Sequence, residues 1–585
     1  MSRISFDLDS TRSETRSPQT LTVRAGFTVD LDWLRSERLR RNTLTGICLA
    51  LVLLAFVISL GAALRLKMHT EPPYWVYAAV PPALSNVEYG HERYKSLNFV
   101  HDIYFGQLTS NYARDINRIV AEILAKHPVA DNRSDRILPS DDKGIVVLTE
   151  MAFRLFGYRV EGVLYLYYII LGLSAALFAY SYRHNPQALL LLASFLLLHR
   201  MILPMIKYDA QLGGITALRC MPVLAMIACM HCILYFFESR ADGKKVAALI
   251  LQIAIMVFVL HIRSTTMWEL ALVAGVSVMA LLWRKGPVAG QLARLPVLKN
   301  RWPSAVPLAV MIFMLLLLNL HRTYGFPEEY HRSGEAITRP FWHNIYSGFA
   351  FHPAMAERYQ LKVDDFTVLL ATKQYLLENN RADAWEAAGG NSPNYTGMRW
   401  KAYDDAVREM LIARCRKHFN ECLTTLVYYK PLSMIKNVLW VSGWIKLPPD
   451  VDKFVSRFPE IGTVVKEQFI ETSRQLDRHK ERGRMWLRYM SAMIAAFALL
   501  TLLRRRKDEL LPVLTTAGVL AAGSMAPSIV GYAAPHTIAE AALAIPLLLV
   551  VLSAGFAIWL RSSGGDPKSN ASPGPVSGVI AKQFV

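Results

Sequence analysis

The sequence predicts a mainly α-helical, polytopic membrane protein, and three observations predict it. About ten apolar stretches, each near the roughly 20 residues a helix needs to cross a bilayer, recur along the 585-residue chain. Basic residues gather at alternate ends of those stretches. Two gaps, 65–161 and 321–484, are far too long to be simple connections. Composition agrees: 53% of the residues are hydrophobic, and the mean hydropathy of +0.24 disfavours a soluble multi-domain enzyme. The formal net charge of +19 does not argue for nucleic acid, because many of the Lys and Arg sit beside apolar runs. No nucleic-acid partner is expected.

Residues 1–42 read as a cytoplasmic tail, rich in Ser, Thr and Arg up to residue 29 and without apolar periodicity. They do not read as a cleavable signal, since the apolar run starts late and no small-residue cleavage pattern follows it. Arg35, Arg38, Arg40 and Arg41 precede the first span, 43–64, and set the N-terminus inside. Spans two to seven fall within 162–320, near 162–181, 187–206, 213–237, 246–262, 267–283 and 303–320. The last three fall within 485–560, near 485–503, 510–531 and 541–560. Cytoplasmic connections then carry Arg183, the Arg240–Lys245 group, the Arg284–Arg301 group, Arg504–Lys507 and Arg561, while the short external turns carry few charges. Both termini are therefore cytoplasmic, with a Gly-, Ser- and Pro-rich tail at 561–585 read as disordered. In the span 187–206, His199, Arg200 and Pro204 suggest a broken helix lining a cavity.

Both long gaps become external regions, each mainly helical. The first, 65–161, shows a helical pattern near Ser110 to Lys126 and closes on the amphipathic segment Ile145 to Phe156, expected to lie along the membrane interface. The second, 321–484, shows helical patterns near Val363 to Asn379, Tyr403 to Tyr429 and Pro449 to Arg474, and is long enough to bury a small core. Two helical turns would hold Cys415 and Cys422 roughly 10 Å apart, so an unbroken helix keeps them as two thiols and a bridge requires the helix to break. The other cysteines lie in apolar stretches and read as small hydrophobes. Cys229, His231 and Cys232 lack a second spaced pair, so no metal ligand set is indicated. The cofactor is unknown, and a divalent cation stays open.

Three groups of residues carry candidate chemistry. Phe99-Val-His-Asp-Ile-Tyr-Phe-Gly in the first external region and Phe341-Trp-His-Asn-Ile-Tyr-Ser-Gly in the second share Phe, His, Ile, Tyr and Gly in one register. Acidic pairs follow them, Asp141-Asp142 and Asp364-Asp365. One reading joins His101 and His343 with those carboxylates as proton carriers at a single external site; the other sees two interfacial helices with aromatic belts. Arg200 and Arg219 lie roughly 9 Å inside the outer ends of their spans at 1.5 Å per residue, and Arg263 sits at the outer end of the fifth. With Lys207, His261 and His536 nearby they suggest a lipid-phosphate site, since Arg presents a planar fork to phosphate. The alternative is separate snorkelling with Glu269 or Asp209 as partners. Finally, Glu71, Glu88, Glu92, Asp102, Asp115, Asp141 and Asp142 make the first region acidic. Of these, Asp141, Asp142, Glu88 and Asp102 are the candidate bases for an acceptor hydroxyl, with the arginines stabilising a departing phosphate.

In this layout, a first span followed by a long acidic external loop with interfacial helices and many further spans, the chain resembles the GT-C class of integral-membrane glycosyltransferases. Glu88-Tyr-Gly-His-Glu92-Arg93-Tyr94 is similar to the acidic, Arg-Tyr-containing motif that some members place after the first span. The resemblance implies a polyprenyl-phosphate sugar donor, an acidic base in the first external loop, basic residues on the lipid phosphate and a plasma-membrane setting in the cell envelope. The alternatives are an O-antigen-type polymerase or ligase, or a non-enzymatic transporter, flippase or envelope-assembly scaffold. The sugar, the acceptor and the oligomeric state are left open.

Overall fold

A computed structural model describes residues 21–22, 28–29, 37–64, 74–110, 116–126, 135–137, 143–211, 221–237, 242–282, 301–325, 341–362, 365–391, 398–442, 444, 481, 483–502, 510–532 and 535–563, with the backbone alone at several element ends. The protein is mainly α. Among the described residues, eight helices are long and apolar enough to cross a membrane, over Asn42–Leu64, Gly162–Ser181, Gly243–Ile262, Ser264–Leu281, Ala305–Tyr324, Gly483–Leu502, Leu510–Val530 and Thr537–Leu560. Each coincides with a span expected from the sequence. The remaining two expected spans appear as shorter apolar stretches, Pro186–Ile202 and Pro222–Tyr235.

In chain order the first region comprises α1 (Glu37–Leu64), α2 (Tyr74–Tyr89), α3 (Asn98–Ser110), α4 (Ile116–Ala125) and α5 (Gly144–Phe156). Two short antiparallel pairs accompany them: β1 (Leu21–Thr22) with β2 (Thr28–Val29), and β3 (Lys95–Leu97) with β4 (Asp135–Ile137), the latter in the register Lys95↔Ile137. Helix α4 forms because Ile116, Ile119, Val120 and Ile123 recur at helical spacing, and all four are buried. Helices α2 and α5 pack on each other, and α5 leads into α6 (Gly162–Ser181).

The bundle continues with α7 (Pro186–Gln211), α8 (Pro222–Tyr235), α9 (Gly243–Ile262), α10 (Met267–Leu282) and α11 (Arg301–Tyr324). Every residue of α8 is buried, which makes it the central helix of the bundle, apolar on all sides. Asp242 caps α9 by accepting from the Lys244 N–H at 3.2 Å. By contrast, α11 buries little of its surface, and Ile312, Phe313, Leu316 and Leu320 face outward, as a lipid-contacting helix requires. Helix α1 lies mainly against α7.

The expected break in α7 is absent: its backbone runs as one helix from Pro186 to Gln211. His199 needs no water-filled cavity because its ring is fully buried between two hydroxyls, Ser59 Oγ at 2.9 Å from Nδ1 and Tyr167 Oη at 2.7 Å from Nε2.

The second region holds its own core. It comprises α12 (Phe341–Ser347), α13 (Pro353–Arg358), α14 (Asp365–Glu378), α15 (Ala382–Ala387), α16 (Trp400–Lys417) and α17 (Phe419–Thr424). Tyr346, Phe349, Trp385, Tyr403 and Met410 pack at its centre. A π turn, Thr425–Tyr429, then leads to α18 (Lys430–Val441). The final helices are α19 (Gly483–Leu502), α20 (Leu510–Val530) and α21 (Pro535–Ser563).

The expectation of separate thiols at Cys415 and Cys422 is corrected here: the two form a disulfide, with Cα atoms 5.6 Å apart. The helix expected over Tyr403 to Tyr429 breaks at His418, whose backbone leaves the helical region at φ −129°, ψ 56°. Arg358 reaches the broken turn through Nη1, 2.8 Å from His418 Nδ1 and 3.4 Å from Glu421 Oε1. The helix expected at Pro449 to Arg474 lies outside the described residues.

Candidate functional site

The turn after α2, helix α5 and the end of α11 bring charged side chains together. After α2 the chain reverses through Gly90 to Tyr94. Tyr94 is buried with φ +70°, a left-handed backbone that an aromatic residue adopts only when its surroundings impose it. That turn directs Arg93 toward α5, where its Nε donates to Glu150 Oε2 at 3.0 Å. It also brings the Tyr94 hydroxyl 3.5 Å from His321 Nε2, near the end of α11.

Helix α5 is seated by its first residue. A Cβ added at Gly144 would lie 2.5 Å from the His261 carbonyl carbon and 2.6 Å from the Ile262 nitrogen, so only glycine allows α5 to rest on the end of α9. Its neighbour Lys143 is thereby held near the C-terminal end of α11, within electrostatic range of Arg322. Arg93 and Arg322 in turn act on the His321 ring, which meets His261 edge-on at 5.5 Å between centroids.

Among the described residues this cluster therefore combines Arg93, Lys143, His321 and Arg322 with the Glu150 carboxylate. Burial, and then the Arg322 charge, pushes the Lys143 ammonium down to about 8. Burial raises the Glu150 carboxyl above the ordinary carboxylate range, although Arg93 and Arg154 pull the other way. The Glu150 side chain is 2% exposed, and its Oε1 has no hydrogen-bond partner. A buried carboxylate with an open oxygen and a raised proton affinity can accept a proton from a substrate hydroxyl. The surrounding cations can hold an anion.

The expected site residues divide as follows. Glu88 is exposed and accepts a hydrogen bond from the Tyr158 hydroxyl; burial, and then the Glu88 carboxylate, pushes Tyr158 up to about 12. Asp102 is exposed, 3.3 Å from the adjacent His101 Nδ1. Arg200 donates through Nη1 to the Tyr489 hydroxyl of α19 at 2.6 Å. Arg263 is 6% exposed and acts on the buried Glu540. The Asp141, Asp142, Arg219 and Asp364 positions lie outside the described residues, and for Lys207 and Asp365 the backbone alone is described.

His101 and His343 stand on helices that pack into different cores. Val100 and Tyr104 of α3 belong to the large core, whereas Tyr346 and Phe349 belong to the core of the second region. His343 is buried with Nδ1 2.7 Å from the Tyr403 hydroxyl, and its backbone N–H donates to Asp404 Oδ1 at 2.9 Å. The shared motif still has a structural meaning: in both copies the tyrosine is fully buried in its own core.

Sequence reasoning missed Glu150, Lys143, His321 and Arg322. The usable signals were an ionisable residue inside the amphipathic segment Ile145 to Phe156, and Arg93-Tyr94, which the structure brings to the same place. Among the described residues no group of three or more His, Cys, Asp or Glu side chains could hold a metal ion. No known protein family, curated protein or solved structure matches this chain.

Proposed function

We propose that the protein is an integral-membrane glycosyltransferase acting at the external face of the plasma membrane, with Glu150 as its base. The observation that carries this reading is the buried, half-partnered Glu150 carboxylate set among Arg93, Lys143, His321 and Arg322. In the reaction, an acceptor hydroxyl oxygen attacks the anomeric carbon of a polyprenyl-phosphate sugar and its proton passes to Glu150 Oε1. The bond from the anomeric carbon to the phosphate oxygen breaks, and the polyprenyl phosphate leaves with its negative charge held by Lys143, Arg322 and Arg93. Arg200, paired with Tyr489, and Arg263, beside Glu540, take no part in this step.

The proposed topology is ten spans with both termini cytoplasmic and both long regions external. Two independent arguments support it: the alternation of basic connections, and the Cys415–Cys422 disulfide in the second region, since disulfides persist in oxidising compartments.

Purified protein in detergent, given a polyprenyl monophosphate and then the sugar-charged lipid, tests the scheme. Glu150→Gln is expected to bind the lipid phosphate and fail to transfer, whereas the pair Lys143→Gln and Arg322→Gln is expected to lose binding. Unchanged transfer in a folded Glu150→Gln protein would overturn the assignment.

A further inference from the structure

A second polar cluster lies within the bundle, apart from any role in sugar transfer. Glu269 on α10 and Glu540 on α21 are both completely buried and interact electrostatically. Trp268 Nε1 donates to Glu540 Oε2 at 3.1 Å. The ring of Trp268 is in turn packed so closely against Gly523 of α20 that a Cβ there would lie 2.6 Å from it. This fixes the donor and leaves three carboxylate oxygens, Glu540 Oε1 and both of Glu269, without a hydrogen-bond partner. One turn before Glu269, the Thr266 hydroxyl is also fully buried and unpartnered, and its spacing puts it on the same face.

The charges at this cluster do not balance. Arg263, 6% exposed, is the guanidinium acting on Glu540, so among the described residues two carboxylates face one fixed cation. Among the described residues, Cys229 on α8 lies within range of both carboxylates, and His261 stands two positions before Arg263 at the end of α9. An unbalanced carboxylate shut away from water is destabilising, as any unpaired buried ion is. One further positive charge among four unpartnered oxygens removes that cost.

We propose that Glu269, Glu540 and Thr266 form a binding site for one monovalent cation, a proton or a sodium ion. A proton would sit on one carboxyl and hydrogen-bond to the other, while a sodium ion would take the carboxylate and threonine oxygens as hard ligands. Either makes the packing of α10 against α20 and α21 dependent on the external medium.

The full chain in detergent tests this in two arms. Infrared difference spectra between acidic and alkaline buffer are expected to show a protonated carboxylic-acid carbonyl band in the wild type and to lose it in Glu269→Gln if the cation is a proton. Thermal unfolding in sodium, potassium and choline chloride at equal ionic strength is expected to show a stabilisation specific to sodium, lost in Glu269→Gln, if it is sodium. Glu540→Gln and Thr266→Val repeat both arms should Glu269→Gln fail to fold. A wild type with neither band nor sodium response overturns the site, as does a response that survives Glu269→Gln and Glu540→Gln but disappears in His261→Gln.

Discussion

Arg93 and Glu150, 57 positions apart in the chain, meet through a single hydrogen bond from Nε to Oε2 at 3.0 Å. The two partners differ: the Arg93 side chain is 41% exposed and that of Glu150 only 2%. Removing the arginine therefore strands a buried carboxylate, whereas removing the carboxylate frees an arginine that water can solvate. Arg93→Ala is expected to destabilise the protein by about 2 kcal/mol and Glu150→Gln by less. Thermal unfolding of both variants and of the double variant closes the cycle, and equal losses in the two single variants would contradict the asymmetry.

Reducing the Cys415–Cys422 bridge releases a short closed loop. Cys415→Ser is expected to cost about 2 kcal/mol by chain entropy, with the effect confined to the second region. In the native oxidised protein neither sulfur should take up a thiol-specific label, and both should do so after reduction. Labelling of Cys415 without reduction would argue against the bridge.

Gly144 allows no larger residue. Gly144→Ala places a methyl group against the His261–Ile262 backbone, and overpacking of this kind costs about 1–3 kcal/mol. Because Lys143 and Glu150 are seated by the same helix, the proposed lipid-phosphate binding is expected to weaken together with stability. Undiminished binding in the variant would mean that the seat of α5 does not position those groups.

Lys430 supplies the pH-dependent prediction. It is fully buried, and its Nζ donates to the carbonyls of Val530 at 2.9 Å and Ile345 at 3.3 Å, joining the second region to the end of α20. Burial lowers its ammonium from the ordinary 10.5 to about 7. Between those two values the unfolded chain holds a proton that the folded chain has released. Stability therefore rises with pH through that window, by at most about 1.4 kcal/mol per pH unit, and the penalty is greatest below about 7. Lys430→Met is expected to flatten that part of the profile, read as melting temperature against pH. A slope unchanged in this variant would assign the effect elsewhere.

Hydropathy made the membrane helices legible because crossing a bilayer demands long apolar runs whatever the fold. The same logic located α4, α5 and α14, whose apolar residues repeat at helical spacing. It could not reveal the break at His418. No Gly or Pro marks that position, and the turn is held by Arg358, 60 residues away. The candidate site was half legible for a similar reason. Arg93 and Tyr94 stood out as a motif, but Glu150 acquires its character only from burial and from a partner on another helix. Likewise, His199 looked like an interruption because Ser59 and Tyr167, which satisfy it, are 140 and 32 residues distant.

That last contact also bears on biosynthesis. Ser59 is made and inserted with α1, whereas the imidazole that meets it emerges with α7, well over a hundred residues later. Before it, α6 brings Tyr168, whose hydroxyl lies 3.4 Å from Ser59 Oγ and whose ring meets Phe56 edge-on. The arrival of His199 completes that polar contact, so the seating of α1 depends on two helices made well after it. A Ser59→Ala chain should still insert and pack α1 through its apolar contacts, but it leaves the buried His199 Nδ1 without its hydroxyl partner.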